Sequence, residues 1–395
     1  MLVKAFVNRF LHWFTVGIIT TILTLTFISK GVAVENVAFI TTVASIVILA
    51  LEFPSGVLSD YLGRKKIYLF SLVFSISSIA ILILANSFFA VVISFVVYGI
   101  GRAFSSGSIE SFFIDEHIEQ KGKHKMHEIL TTMQSAEILG LCLGALAGGV
   151  IPIIWTKYFP EQNKFHGNLL VILILRISIF LITAFTVKEK HEKSESLSSQ
   201  LKDFFSMVKE KKTLLLMMVI ALIWGFTFNC IEIYWQPQLK SILGSDSKFW
   251  VFGLINGGYF GAALLGTILI KYFTKFNNFN LIILFKVIMG LFIVILSAQT
   301  GICGFTLIYL TMFMFNGAGN IIEQSIINKQ TSPEHRSSLL SAISFSSQIG
   351  AIVGGLLSTI VIRMYSISIV WAICGFVFAS SGIIYALMKK SYKEA

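Results

Sequence analysis

Several ionisable side chains of this sequence stand inside long apolar stretches. Four are glutamates and one is an arginine: Glu110, Glu137, Glu232, Glu323 and Arg102. A charge at the centre of an apolar span costs at least about 2.5–3.5 kcal/mol by insertion scales, so such a residue needs a partner or a function. Because a buried carboxylate can hold a proton near neutral pH, reversible proton binding is the chemistry that these residues suggest.

Arg102 has two candidate partners on neighbouring stretches of the chain. Glu110 follows it on the same predicted helix, and Glu137 lies in the next apolar stretch. Either pair is a switchable contact for a proton site or a permanent ion pair, and the sequence leaves both open. Arg176 is another candidate partner of Glu137, whereas Lys286 lies near the end of its stretch, where a lysine can reach polar surroundings.

Uncharged polar residues accompany these charges. Two asparagines precede Glu323 at a spacing that puts all three on one helix face, as expected where a helix borders a water-filled cavity. Beside Glu232, the aromatic neighbours equally favour a position at the membrane interface. The candidates for contact with a small molecule are His12, Asn229, Tyr234, Trp235, Asn316 and Asn320.

The sequence offers little for other kinds of chemistry. It contains no GxxxxGK[ST] loop for a nucleotide phosphate and no His, Cys or Asp residues at metal-ligand spacing. The four cysteines stand far apart in apolar stretches, which indicates packing. We therefore expect no enzymatic activity, no metal and no cofactor.

The elements that carry these residues are predicted from composition. Of the 395 residues, 55% are hydrophobic and 13% are charged, with a mean hydropathy of +0.82. A soluble domain of this size needs more charge to cover its surface, so the apolar excess must face lipid. A membrane-spanning helix takes about 20 apolar residues. Stretches of this kind lie near residues 7–29, 38–59, 67–86, 90–115, 128–152, 168–187, 213–236, 249–270, 279–298, 302–327, 338–362 and 367–388. We predict an all-α, polytopic membrane protein with twelve transmembrane helices.

The basic residues indicate the orientation of these spans. With a cytoplasmic N-terminus, 22 of the 31 Lys and Arg residues fall in or beside the inside segments and 6 in the outside segments. This bias is what the positive-inside rule predicts. The net charge of +11 therefore records orientation and does not indicate a nucleic-acid partner.

A long polar segment divides the twelve spans into two groups of six. The predicted organisation is an N-terminal bundle at residues 1–187, a cytoplasmic linker at 188–212 and a C-terminal bundle at 213–395. Glycines of the fifth span recur 210 residues later in the eleventh span. Such a repeat of six spans predicts two parallel halves with a cavity between them.

The loop after the second span reads GVLSDYLGRKK. It resembles the signature loop of the major facilitator superfamily, and the twelve spans, the linker and the repeat extend this resemblance over the whole chain. The fold that the resemblance implies is two six-helix bundles. The matching loop positions are Gly56, Asp60, Gly63, Arg64 and Lys65.

The resemblance implies that this loop acts as a conformational latch. Asp60 would face the N-terminus of the eleventh span, near Ser337, and Arg64 would bridge to Asp115 at the inner end of the fourth span. Gly63 would permit a tight turn. The alternative is a basic cluster that only sets the topology.

Small residues form a stripe on the fifth span. Gly140, Gly144 and Gly148 follow one another at every fourth residue, which permits close helix contact. The stripe resembles the fifth-span motif of proton-coupled drug exporters in the superfamily, although Ala145 stands where that family usually has proline. Ordinary helix packing is the alternative interpretation.

The resemblance implies a secondary active transporter that exports a hydrophobic or amphipathic small molecule by alternating access, with the proton gradient as its energy source. It further implies a monomer in the lipid bilayer of the inner, cytoplasmic membrane, with both termini cytoplasmic. A nutrient, peptide or lipid transporter of the same fold is one alternative. A membrane receptor or scaffold that transports nothing is the alternative of another class.

The charge bias predicts that the linker is cytoplasmic. In a chain whose native cysteines are replaced, Ser196→Cys should react with a membrane-impermeant maleimide only after the cells are permeabilised. Lys164→Cys, in a predicted outside segment, is the matched control and should react in intact cells. Ready labelling of Ser196→Cys in intact cells would contradict the predicted topology.

Overall fold

The computed structural model describes residues 1–105, 108–187, 189, 212–244, 248–272, 278–330 and 336–394. Regular structure in these residues is helical throughout. The α-helices are α1 (Leu2–Ser29), α2 (Val34–Leu62), α3 (Arg64–Leu84), α4 (Phe88–Ser105), α5 (Ser108–Lys121), α6 (Met126–Tyr158), α7 (His166–Thr186), α8 (Lys212–Leu243), α9 (Phe249–Leu269), α10 (Asn278–Ser297), α11 (Ile302–Gln330), α12 (Arg336–Met364) and α13 (Ile367–Glu394).

Twelve segments of the described chain are long and apolar enough to cross a membrane. The fourth, Phe88–Lys121, contains both α4 and α5, and each of the other eleven lies in one helix or in a helix and the turn that follows it. The prediction of an all-α protein with twelve spans is therefore confirmed.

The chain forms two compact units. Unit 1 comprises Met1–Ala33, Val43–Ser196 and Ser245–Gly257, and unit 2 comprises Val34–Thr42, Leu197–Gly244 and Gly258–Ala395. The first residues of α2 thus belong to unit 2, and the first residues of α9 belong to unit 1. The predicted linker, apart from Glu189 and Lys212, lies outside the described residues, so its boundaries stay a prediction.

Glycines let α1 and α6 approach closely in unit 1. A Cβ atom at Gly140 would lie 2.7 Å from the carbonyl oxygen of Phe10, and one at Gly148 would lie 2.8 Å from that of Ile18. Between them, a Cβ at Gly144 would overlap the carbonyl oxygen of Phe14. The predicted stripe therefore faces a neighbouring helix backbone, where a side chain has no room.

The same packing recurs in unit 2 between α8 and α12. A Cβ at Gly350 would overlap the carbonyl oxygen of Leu222, and one at Gly354 would lie 2.7 Å from that of Phe226. These glycines are the repeats of Gly140 and Gly144. The sequence repeat thus corresponds to one packing arrangement, present once in each unit.

The close approach at Gly144 predicts a large effect of adding one methyl group. Gly144→Ala should lose about 1–3 kcal/mol of unfolding free energy, because the Cβ meets rigid backbone. Gly261→Ala is the matched control, because Gly261 lies on α9 with no atom within 4 Å of the place that a Cβ would take. Alanine has a higher helix propensity than glycine, so the unfolding free energy of this variant should stay unchanged or rise by up to about 1 kcal/mol. Thermal unfolding of the purified variants in detergent measures both changes, and equal melting temperatures would contradict this account.

Candidate functional site

One largely buried arginine of unit 1 forms ion pairs with two carboxylates. Arg9, on α1, places Nη2 3.2 Å from Oε2 of Glu110 on α5 and 3.1 Å from Oε2 of Glu137 on α6. The Arg9 side chain is only 12% exposed, and its guanidinium also lies over the ring of Trp13, 5.4 Å from the ring centroid. We call Arg9, Glu110 and Glu137 the Arg9 cluster.

The partner predicted for these glutamates from the sequence is wrong. Arg102 is exposed, and no carboxylate of the described residues lies within 4.0 Å of it. It precedes Glu110 by eight residues, which corresponds to about 12 Å along a helix axis and is too far for a direct pair. Arg9 pairs with the two glutamates instead, because α1 packs against both helices that carry them.

A second cation of unit 1 is buried beside a histidine. Arg176, on α7, is 9% exposed and donates from Nη1 to Nδ1 of His12 at 3.1 Å. Because a guanidinium can only donate, His12 must accept through an unprotonated Nδ1 and is therefore neutral. The Nε of Arg176 has no partner among the described residues. Because Glu137 pairs with Arg9 and Arg176 contacts His12, the predicted pairing of Arg176 with Glu137 is also wrong.

Polar groups next to this pair hold α1, α3 and α7 together. Asn8 donates to the hydroxyl of Thr183 at 2.9 Å and accepts a hydrogen bond from the hydroxyl of Tyr68 at 3.2 Å. All three side chains are buried. Buried amide and hydroxyl groups that satisfy one another help to fix the position of α1, which carries Arg9.

Unit 2 contains a buried ion pair of equal and opposite charges. Lys286 on α10 pairs with Glu323 on α11, and the hydroxyl of Tyr385 on α13 donates to the same carboxylate at 2.8 Å. Lys286 is only 4% exposed and lies over the ring of Phe378. The expectation that Lys286 reaches polar surroundings is therefore wrong, since its ammonium group points into the unit.

A cavity of about 250 Å³ adjoins this pair inside unit 2. Residues of α8, α11, α12 and α13 line it, among them Trp224, Asn320, Glu323 and Tyr385. We call it the unit 2 cavity. The polar face predicted on α11 points towards it: Asn320 and Glu323 line the wall, and Asn316 accepts a hydrogen bond from the indole of Trp224 at 3.3 Å.

The other candidates of the seventh span lie elsewhere. Asn229 donates to the carbonyl oxygen of Ala351 at 2.7 Å, and Tyr234 and Trp235 are buried, so these side chains contribute to the packing of α8. Glu232 is exposed and forms no hydrogen bond or ion pair with any residue that the structure describes.

The loop between α2 and α3 is built around Gly63, whose φ of 97° is a conformation that favours glycine. Arg64 donates to Oδ2 of Asp115 on α5, as the sequence predicted. The carboxylate of Glu189 accepts the backbone N–H groups of Arg64 at 2.8 Å and Lys65 at 2.9 Å, and an anion at a helix N-terminus is stabilising.

The remaining latch residues are described only in part. Gly56 and Asp60 lie in α2, but the surroundings of Gly56 and the side chain of Asp60 are outside the described part of the structure, as are residues 331–335 before α12. The contact between Asp60 and the eleventh span therefore stays a prediction. No group of three or more His, Cys, Asp or Glu residues in the described chain is arranged to hold a metal ion.

Comparison with known proteins gives the class of this fold. The sequence profile of the Major Facilitator Superfamily matches residues 5–328. The chain therefore belongs to this superfamily. An uncharacterized MFS-type transporter of Bacillus subtilis (strain 168), YxaM, is 24% identical over 272 residues, and the match covers 68% of this chain and 65% of that protein.

Two solved structures share the fold along nearly the whole chain. The nucleoside transporter NupG superposes with a TM-score of 0.81 at 16% identity, covering 98% of this chain and 99% of its own. A bacterial homologue of the human lysosomal transporter Spinster superposes with a TM-score of 0.78 at 13% identity, covering 98% and 96%. At such low identity these likenesses establish the fold.

Some residues of the site were missed from the sequence. Arg9 stands at the start of the first span, where a basic residue is expected from topology alone, although its spacing from His12 and Trp13 places all three on one helix face. Glu189 counted as part of the linker. Tyr385 lies in a mostly apolar span, and no pattern in the sequence indicates that its hydroxyl contacts Glu323.

The Arg176–His12 contact predicts different effects for two substitutions of His12. His12→Leu should lose about 1.5–3 kcal/mol of unfolding free energy, because a buried guanidinium loses its acceptor. His12→Gln keeps an acceptor and should lose less. His127→Leu, at an exposed position of α6, should change stability by no more than about 0.5 kcal/mol. Equal thermal stabilities of the Leu and Gln variants at position 12 would contradict the assigned hydrogen bond.

Proposed function

We propose that this chain is a secondary active transporter that couples proton entry to export of a hydrophobic or amphipathic small molecule by alternating access. Membership of the Major Facilitator Superfamily supports transport as the activity. The glycine stripe of the fifth span, which resembles a motif of proton-coupled drug exporters, supports export as the direction. The proposal includes the cytoplasmic membrane, cytoplasmic ends of the chain, a monomer and no cofactor beyond the proton gradient.

The observation that carries proton coupling is the shared guanidinium of the Arg9 cluster. Two ionised carboxylates and one guanidinium leave one negative charge, and uptake of one proton removes it. Two carboxylates at a single cation do not ionise independently, so the cluster is suited to binding and releasing a proton. Its members come from three helices, α1, α5 and α6, so a change of protonation alters contacts between helices.

Other charges of unit 1 act elsewhere. Arg102 and Arg176 interact electrostatically with His12 and with each other. Arg9 also acts on His12, but Arg9 and Glu110 are the charges that act on Glu137. The Lys286–Glu323 pair of unit 2 is balanced in charge, so a proton added to it would leave a buried ammonium uncompensated. The Arg9 cluster is therefore the better proton site.

In the proposed cycle, protonation of the cluster neutralises one carboxylate, which then no longer forms an ion pair with Arg9. The guanidinium then pairs with the remaining carboxylate, and the contact that links α1 to the other helix weakens. Loss of the proton restores both ion pairs. A proton that enters from outside and leaves inside would thereby bias which arrangement of the helices is favoured.

One observation favours a second function, uptake of a polar nutrient. The unit 2 cavity offers the hydrogen-bonding group of Asn320, which suits a sugar, peptide or nucleoside as well as an amphipathic compound. Direction of flux separates this candidate from export. A receptor or scaffold, the candidate of another class, would show no gradient-driven flux of any compound.

The Arg9 cluster predicts that Glu137→Gln and Glu110→Gln uncouple transport from the pH gradient. In proteoliposomes with an imposed gradient, the gradient-driven flux of each variant should fall at least tenfold, which corresponds to about 1.4 kcal/mol. Substrate exchange without a gradient should stay within about threefold of the native rate. Glu119→Gln, an exposed position on the same helix as Glu110, is the matched control and should keep native coupling.

Retention of gradient-driven flux in both cluster variants would overturn proton coupling at this site. Loss of exchange together with gradient-driven flux would indicate a structural ion pair instead. Gradient-driven flux towards the side of the membrane that corresponds to the cytoplasm would replace export by uptake.

A further inference from the structure

The unit 2 cavity is separate from the Arg9 cluster, because all of its lining residues belong to unit 2. Most of its wall is apolar, formed by the side chains of Met217, Ile220, Ile326, Ile327, Ile343 and Met388. Its volume of about 250 Å³ lies just below the range of roughly 300–1,000 Å³ that is usual for ligand pockets. The space fits one ring system with small substituents.

We propose that the unit 2 cavity binds the transported molecule, and that this molecule carries an uncharged, planar ring with a hydrogen-bonding substituent. The proposal rests on the proposed transport function and goes beyond it by naming the class of substrate. Three properties of the cavity wall support it, namely its charge balance, an oriented indole and an amide without a partner.

The charge balance excludes ionised ligands. Glu323 is the only ionisable carboxylate among the residues that line the cavity, and Lys286 neutralises it from behind the wall. The hydroxyl of Tyr385 donates to the same carboxylate. A cation or anion in the cavity would therefore find no free counter-charge, and burying an unpaired charge is strongly unfavourable.

The oriented indole favours a flat ring. Trp224 stacks on Phe228 with ring centroids 5.1 Å apart and an interplanar angle of 23°, while its N–H is held by Asn316. Because the side chain is held from two directions, little conformational entropy is lost when a ligand contacts it. An aromatic ligand packs on such a surface more favourably than an aliphatic one.

The free amide supplies the polar contact. Asn320 lines the cavity and is exposed, and its side chain forms no hydrogen bond with any residue in the described ranges. An amide can both donate and accept, so it recognises a carbonyl oxygen, a ring nitrogen or an N–H group. The position of Asn320 at the wall gives the ring a preferred orientation.

The test is binding of probe compounds that differ in charge. Equilibrium dialysis with the purified full chain in detergent compares coumarin, which is neutral, with coumarin-3-carboxylate and with the N-methylquinolinium cation. Coumarin should bind at least tenfold more tightly than either charged probe. A non-aromatic neutral probe, cyclohexanone, should bind more weakly than coumarin.

Variants locate the binding in the cavity. Trp224→Leu and Asn320→Leu should each weaken coumarin binding at least fivefold, whereas Trp250→Leu, at an exposed tryptophan of α9, should leave it within twofold. If Trp224→Leu does not fold, Trp224→Phe keeps a ring and should retain most of the binding. Asn320→Asp adds an unbalanced negative charge and should shift the preference from coumarin towards the cationic probe, which a purely structural role of Asn320 would not produce.

Absence of binding by the folded native chain, equal binding of the three aromatic probes, or full binding by both Leu variants would overturn the inference. Dialysis measures binding without flux, so the two proposals fail separately. Coumarin binding with the expected variant pattern but without gradient-driven flux of any compound contradicts the transport function alone. Proton-driven flux with no dependence on the cavity residues contradicts the cavity assignment alone.

Discussion

The ion pairs of Arg9 are the contacts on which the arrangement of unit 1 depends. A guanidinium that is nearly buried must be neutralised from within the protein, and here two helices supply one carboxylate each. Because α1 carries the cation, while α5 and α6 carry Glu110 and Glu137, the two ion pairs couple the positions of three helices. The same contact carries an excess negative charge, so the structural interaction is also the group best suited to respond to a proton.

The two units balance their buried charges differently. In unit 1 the Arg9 cluster has one carboxylate more than its single guanidinium can neutralise, and Arg176 hydrogen-bonds to the neutral ring of His12. In unit 2 the pair of Lys286 and Glu323 is balanced and is reinforced by a tyrosine hydroxyl. This contrast is consistent with the proposed roles, in which unit 1 binds the proton and unit 2 provides a neutral cavity for a ligand.

Close helix packing makes both arrangements possible. Glycines of α6 lie against the backbone of α1, and their repeats on α12 lie against the backbone of α8. Without side chains between them, the helices approach until polar groups on adjacent faces are within hydrogen-bonding distance, as between Thr21 and Ala145 or between Asn229 and Ala351. The glycine repeat that resembles an exporter motif is therefore also a packing requirement, and the two interpretations are compatible.

The sequence by itself determined the twelve spans, the loop around Gly63 and the polar face of α11, because these follow from local hydropathy, turn chemistry and helical spacing. Even the contact of Arg64 with Asp115 was predictable from a family motif. The tertiary structure alone decided that Arg9 instead of Arg102 serves Glu110 and Glu137, and that Lys286 turns inward to Glu323. Helical spacing places a charge on a face, but the rotation and depth at which two distant helices pack decide which opposite charge that face meets.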